Sequence, residues 1–239
     1  MRRLSASIFA LMLAAGAPVQ ASSLRVAPVC LDIRAPGATA TIRVWNDAPQ
    51  PVNVQIRIFR WNQQDGEERL VPTQDVVVSP PITTLAGGGE NIVRVVRVAK
   101  KPISAEESYR VIVDELPDPA RRNTGTITLV IRHSIPVFFG GTRGKDSAID
   151  WSVQRRAGGY QVSARNTGAG RLRLSNLILH AGNGAIARRD GLVGYALAGA
   201  TMRWLVFSEE NGGSPSGPIT ISAESEAGPV NAAASLQDN

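Results

Sequence analysis

The sequence predicts an all-β chain of two β-sandwich domains. Three observations carry that expectation. Apolar and polar side chains alternate with period 2 in run after run, and helical spacing is hard to find. The runs are rich in Val, Ile and Thr and are separated at short intervals by turn residues. A glycine-rich break, Gly140-Gly141-Thr142-Arg143-Gly144, divides the runs into two sets.

The elements follow in chain order. Met1-Arg2-Arg3 is a charged start, residues 4–18 are apolar, and Val19-Gln20-Ala21-Ser22 offers a small-x-small cleavage site. That apolar run is shorter than the roughly 20 residues a membrane span needs, so 1–21 reads as a secretory leader cut after Ala21 rather than as an anchor. Residues 23–33 form the first expected strand and 39–45 the second. In the next run Val52, Val54, Ile56 and Ile58 share one face, with Asn53, Gln55, Arg57 and Phe59 on the other. Runs at 70–78, 91–98, 109–116 and 124–139 complete a first domain, 22–142. Its turns are marked by Ala35-Pro36-Gly37, Asn46-Asp47-Ala48-Pro49, Asp65-Gly66, Gly87-Gly88-Gly89 and Pro117-Asp118-Pro119. The second domain, 143–239, has expected strands at 149–155, 160–166, 171–180, 202–207, 219–224 and 230–236. The short linker implies a fixed angle between the domains and a cleft between them.

Composition removes several functions. The 239 residues include one Cys and two His. One Cys makes no internal disulfide, and His133 and His180 are too few for a His-based metal site, so neither metal nor cofactor is expected. The net charge of +6 falls to +4 when Arg2 and Arg3 leave with the leader, and no run of five like charges exists, so no nucleic-acid partner is expected. No second apolar run of 18 residues exists, so membrane insertion is not expected either. Catalytic sets are also missing. Cys30 reads as a small buried hydrophobe rather than a nucleophile beside His133. Asp114 and Glu115 are adjacent on a strand and face opposite sides. Gly87-Gly88-Gly89 lacks the Lys-Ser/Thr and helix of a phosphate loop, so it reads as a turn. Trp61, Trp151 and Trp204 read as core or domain-interface residues, and Trp45 as core.

The run 124–139 is unusually long for a strand. Ile127, Leu129 and Ile131 occupy its odd positions, and Thr126, Thr128, Val130 and Arg132 its even ones. Periodicity alone fits an inner sandwich strand. It also fits an edge strand whose apolar stripe exists to pair with another chain.

Five segments then read together: Arg60-Trp61-Asn62-Gln63, Ser79-Pro80-Pro81-Ile82, Gly89 with Val93-Arg94-Val95-Val96-Arg97, Ser108-Tyr109-Arg110-Val111-Ile112-Val113-Asp114-Glu115-Leu116-Pro117, and Arg132-His133-Ser134-Ile135-Pro136-Val137-Phe138. In order and spacing they resemble the periplasmic chaperones of the chaperone–usher pilus pathway, most closely the archaic branch. The resemblance covers most of the first domain; the second fits by position and β-character. It implies a boomerang of two immunoglobulin-like β-sandwich domains. It further implies that the last strand of the first domain is lent to a pilin subunit whose own sandwich lacks a strand. Backbone bonds would then supply affinity, and alternate side chains, here Ile127, Leu129 and Ile131, would fill the pilin groove. The implied partners are pilin subunits and an outer-membrane usher, the implied compartment is the periplasm, and no enzymatic step is implied. Self-association of the free form is left open.

One departure from the family is visible. Better-known branches anchor the pilin's terminal carboxylate with an Arg on the first strand and a Lys on the donor strand. Those positions here hold Cys30 and Pro136. A carboxylate entering a partly buried cleft still needs a charged partner. Arg110, Arg132 and His133 are the candidates, Arg110 and Arg132 foremost, with Arg34 nearby. Against this, Arg110 fits equally a structural ion pair with Asp114 or Glu115. A pilin or surface adhesin with immunoglobulin-like domains is the alternative function. It would need a donor extension just after the leader, where residues 22–28 instead look like a first strand.

Overall fold

In the computed structural model, which describes residues 24–117, 130–140, 147–182, 184–208 and 218–237, every regular element is a strand. The leader, 1–21, lies outside the described residues. The first ten strands are β1 (Leu24–Ala27), β2 (Leu31–Ile33), β3 (Thr39–Asn46), β4 (Val52–Gln64), β5 (Glu67–Pro72), β6 (Val76–Ser79), β7 (Ile82–Leu85), β8 (Glu90–Arg97), β9 (Glu107–Leu116) and β10 (Arg132–Phe139). They form two sheets, ordered β1-β3-β8-β6 and β2-β10-β9-β4-β5, with β7 also pairing β4. Alternation sends Ile42, Val44, Val54, Ile56, Val93, Val95, Val111, Val113, Val137 and Phe139 into one buried core between them.

Prolines explain where this sandwich departs from the strands expected. Where one strand is expected over 23–33, the described residues form two in different sheets, β1 against β3 and β2 parallel to β10. Pro28 has no N–H for a ladder, so pairing stops there and the chain crosses between sheets. Residues 70–78 divide likewise. Pro72 ends β5, and the Asp75 N–H donates to Thr73 Oγ1 (3.1 Å) before β6 begins in the other sheet. β7, a four-residue strand that begins immediately after Pro80-Pro81, is an addition to the expected set. Trp45 is a correction. It lies half-buried, with the guanidiniums of Arg25 and Arg43 over its ring at 5.0 and 5.6 Å, because Val44 and Asn46 on either side take the inward positions.

The second set comprises β11 (Ile149–Arg156), β12 (Gly159–Asn166), β13 (Leu172–Ala181), β14 (Gly184–Ala196), β15 (Thr201–Ser208), β16 (Ile219–Ser225) and β17 (Gly228–Gln237). Their ladder runs β11-β12-β15-β14-β13-β16-β17 and closes through parallel pairing of β11 with β17. Trp151, Val153, Val162, Leu174, Leu177, Leu179, Trp204, Val206 and Ile221 fill it. β14 was not expected, because Gly191, Gly194 and the charged Arg188-Arg189-Asp190 break its alternation. The register against β13 slips accordingly, with Asn176 at φ 51° and Gly191 at φ 71°.

One polar device recurs in both domains. A buried Asn ends a strand and braces the turn that follows. Asn46 Nδ2 donates to the carbonyls of Gln50 (2.7 Å), Ala86 (3.0 Å) and Leu85 (3.3 Å), and its Oδ1 accepts the Ala48 N–H (3.0 Å). Asn166 Nδ2 donates to Gly170 (2.8 Å) and Ala196 (2.9 Å), and its Oδ1 accepts the Gly168 N–H (3.0 Å). Each amide thus satisfies backbone groups that would otherwise be buried unpaired. Asn46→Ala is expected to lower the unfolding free energy by about 2–3 kcal/mol in urea denaturation. A loss under about 0.5 kcal/mol would show that the turn holds without the amide.

Candidate functional site: an open strand edge beside an arginine-lined cleft

β10 is paired unequally. β9 lies against it from Arg132 to Phe139, whereas β2 pairs only with 137–139. From Arg132 to Pro136 its other edge carries no strand among the described residues. Odd residues Ile135, Val137 and Phe139 point into the first core, while Arg132 and Ser134 are exposed. Ile131, two places further on the odd phase, is half-buried. Its carbonyl accepts the Glu115 N–H (2.9 Å) and its N–H donates to Glu115 Oε2 (3.3 Å). The expected strand 124–139 is a strand from Arg132 onward among the described residues, and Ile127 and Leu129 lie outside them.

The later even residues of β10, Ser134, Pro136 and Phe138, meet the second domain. Cys30 directly precedes β2 and Pro136 directly precedes the stretch of β10 that β2 pairs with, so the Leu31–Val137 register brings them level. Both line a cleft of about 460 Å³ together with Glu68 and Arg110, and with Arg173, Leu192, Tyr195 and Glu226 of the second domain. Burial, and then Asp32, push the Cys30 thiol up to about 11, so it is neutral at physiological pH and a poor nucleophile.

Arg110 stands opposite Pro136 in the β9–β10 register. Its side chain is 14% exposed and its guanidinium lies 3.7 Å above the Trp61 ring, with Tyr195 at 5.8 Å. Burial pulls its pKa down, and Glu68 pulls it back. Its ion pair is with Glu68, not with Asp114 or Glu115, and at 3.6 Å it is longer than a hydrogen bond.

Arg132 and His133 are engaged elsewhere. Arg132 lies directly across from Asp114, four places along β10 from Pro136 and so about 13 Å from the level of Arg110. Arg132 Nε donates to Asp114, and Arg57 donates to the same carboxylate at 2.6 Å. Burial alone would raise the Asp114 pKa, but these two arginines outweigh it and hold the carboxyl below its usual range. His133 Nε2 bonds the Leu24 carbonyl at 3.0 Å. The three candidate cations therefore do not converge: Arg110 is in the cleft, while Arg132 and His133 fasten β10 to its neighbours.

Two arginines of the second domain matter that the sequence reading did not single out. Arg173 lines the same cleft as Arg110, from the second domain. Arg171 is wholly buried where the domains meet. Its Nη1 donates to Glu106 (2.5 Å), its Nη2 to Asp32 (2.5 Å) and Glu226 (3.0 Å), and its guanidinium lies 3.6 Å over the Phe138 ring. Its backbone N–H also donates to Glu106 Oε1 (3.0 Å). Burial would lower its pKa, but the three carboxylates outweigh that, and the guanidinium stays charged. Beside it Trp61, Phe138, Tyr195 and Leu197 form an apolar cluster across the junction. Gln63 bonds both the Tyr195 carbonyl (2.7 Å) and the Leu197 N–H (2.9 Å), and Arg203 reaches the Asp65 carbonyl (2.9 Å) at the β4–β5 turn. Gly66 fits that turn because it takes φ 85° and lies against the Arg203 side chain.

Comparison with known proteins is informative in two ways. The family model described as pili and flagellar-assembly chaperone, PapD N-terminal domain, matches residues 23–142, half of the chain. Among solved structures, the chain resembles the Acinetobacter baumannii CsuC–CsuE chaperone–tip adhesion subunit complex of archaic Csu pili, with TM-score 0.68 and 22% identity over 90% of this chain and all of that one. The Pseudomonas aeruginosa CupB2 chaperone gives 0.58 and 17% over 89% of this chain and all of that one. The Salmonella enterica SafB chaperone complex with the SafA pilin gives 0.59 and 18% over 90% and 97%. No curated protein matches. These structural likenesses fix the fold, two immunoglobulin-like domains.

Removing Arg171 would leave Asp32, Glu106 and Glu226 facing one another without their cation. Arg171→Ala is therefore expected to lose about 3–5 kcal/mol of stability in urea denaturation. A loss under about 1 kcal/mol would mean that the carboxylates find other partners.

Proposed function

The chain belongs to the pili and flagellar-assembly chaperones, and on that premise we propose that it holds pilin subunits in the periplasm by donating residues 127–131 as a strand, then delivers them to an outer-membrane usher. The family's function is not enzymatic. The observation that carries the reading is the open edge of β10 from Arg132 to Pro136, with its odd residues on the core face. An extended continuation of that strand presents Ile131, Leu129 and Ile127 in one row, and a pilin sandwich adding to this edge extends the chaperone's own core. Each apolar side chain buried there is worth roughly 1.5–3 kcal/mol. A slip of one residue presents Thr126, Thr128 and Val130 instead.

The anchor for the pilin's terminal carboxylate is assigned to Arg110, with Arg173 of the second domain in the same cleft. Arg110 is largely buried yet has no hydrogen bond among the described residues, so its donors are open to a ligand. Arg132 and His133 do not line this cleft and bond Asp114 and the Leu24 carbonyl instead. The alternative of a pilin or adhesin gains nothing, since Leu24–Ala27, where a donor extension would lie, is paired with β3 inside its own sheet.

The test is co-expression in the periplasm with a pilin encoded in the same genome, scored by soluble complex. Leu129→Asp is expected to lower capture at least about 100-fold, because a carboxylate enters an apolar groove. Arg110→Ala is expected to weaken it about tenfold or more, while Arg132→Ala lowers thermal stability and retains capture. Undiminished capture by both Leu129→Asp and Arg110→Ala, or a pilin no more soluble with the chain than without it, would refute the assignment.

A further inference from the structure

Resting on the reading that the cleft takes a terminal carboxylate, we infer that Glu68 is a built-in competitor for that carboxylate and sets how tightly the cleft holds its client. The charges lining the cleft are two guanidiniums, Arg110 and Arg173, and two carboxylates, Glu68 and Glu226. Glu226 is committed to Arg171 at 3.0 Å. Among the described residues Glu68 is held by Arg110 alone, at 3.6 Å and without a hydrogen bond, and its side chain is 40% exposed. It occupies the charged side of Arg110 loosely, as a stand-in for a better-placed anion.

The local structure lets Glu68 yield. All six residues of β5 are exposed, and the strand lies at the end of its sheet with β4 on one side only. The Glu68 side chain can turn to solvent without disturbing a core residue. An arriving carboxylate must either displace it from Arg110 or share the guanidinium with it, and two like charges on one cation repel. Either way the net affinity falls below what Arg110 and Arg173 alone would give. Such a cleft suits a ligand that is held and later released. The competition weakens only a charged chain end: an uncharged terminus does not contend for Arg110 and loses nothing to Glu68.

The test separates this inference from the reading beneath it. The probes are N-acetyl-leucine and its uncharged twin N-acetyl-leucinamide, titrated into the full chain while the indole N–H resonance of Trp61, the ring under Arg110, is followed by NMR. Glu68→Gln is expected to tighten the acid about three- to fivefold, the upper range for a partly exposed ion pair, and to leave the amide unchanged. Arg110→Ala should abolish the preference for the acid in both backgrounds. Equal acid affinity in the parent and Glu68→Gln, with a preference that Arg110→Ala still abolishes, would overturn the role of Glu68 and keep the carboxylate site. Equal tightening of acid and amide would overturn it too, by showing a steric effect. No acid preference in either protein would overturn both.

Discussion

One guanidinium fixes the geometry on which the rest depends. Arg171 comes from the second domain and takes its carboxylates from both: Asp32 and Glu106 from the first, Glu226 from its own. Removing four charges from water is costly, and their mutual attraction offsets much of that cost rather than exceeding it greatly. The network is therefore best understood as a constraint on pairing. Three acceptors around one planar fork fit one arrangement of the domains, and a shifted arrangement leaves a charge buried without a partner. The Trp61–Phe138–Tyr195 cluster and the Gln63 bridge act in the same sense, by shape and by backbone hydrogen bonds.

A fixed junction gives β10 three tasks at once. Its odd residues complete the first core, its Pro136 and Phe138 floor the domain junction, and the edge from Arg132 to Pro136 pairs with no strand among the described residues. The cleft and the open edge therefore sit on one strand, in fixed phase. On the proposed reading, a ligand strand whose end is held at Arg110 would have its register against this edge set by that single point, and a one-residue slip would exchange the apolar row for the polar one. The Arg132–Asp114–Arg57 ion pairs fasten the start of β10 at its other end.

Much of this was legible in sequence, and the reason is the period of a strand. Val52-x-Val54-x-Ile56, set between Asn53, Gln55 and Arg57, states which face is inward, whereas Ile135–Phe139 is apolar at every position and does not. The positions of Cys30 and Pro136 in one cleft were legible through the family resemblance. What was hidden depends on contacts between distant residues. Arg171 follows Gly168-Ala169-Gly170 and looks like the solvated start of a strand; its partners lie 139, 65 and 55 residues away. Glu68 and Arg173 look like ordinary surface charges of alternating strands. β14 was hidden because its bulges break the alternation that reveals a strand, and Pro28 and Pro72 lie inside runs whose β-rich composition continues on both sides.

The central claim is that the cleft is preformed, with the two domains locked by Arg171 before any ligand arrives. Residual dipolar couplings measured on the free chain at neutral pH test this directly. Locked domains require the amide couplings of residues 24–117 and 149–208 to fit a single alignment tensor with the domain orientation described here. Two distinct tensors, or one tensor with a different orientation, would contradict it.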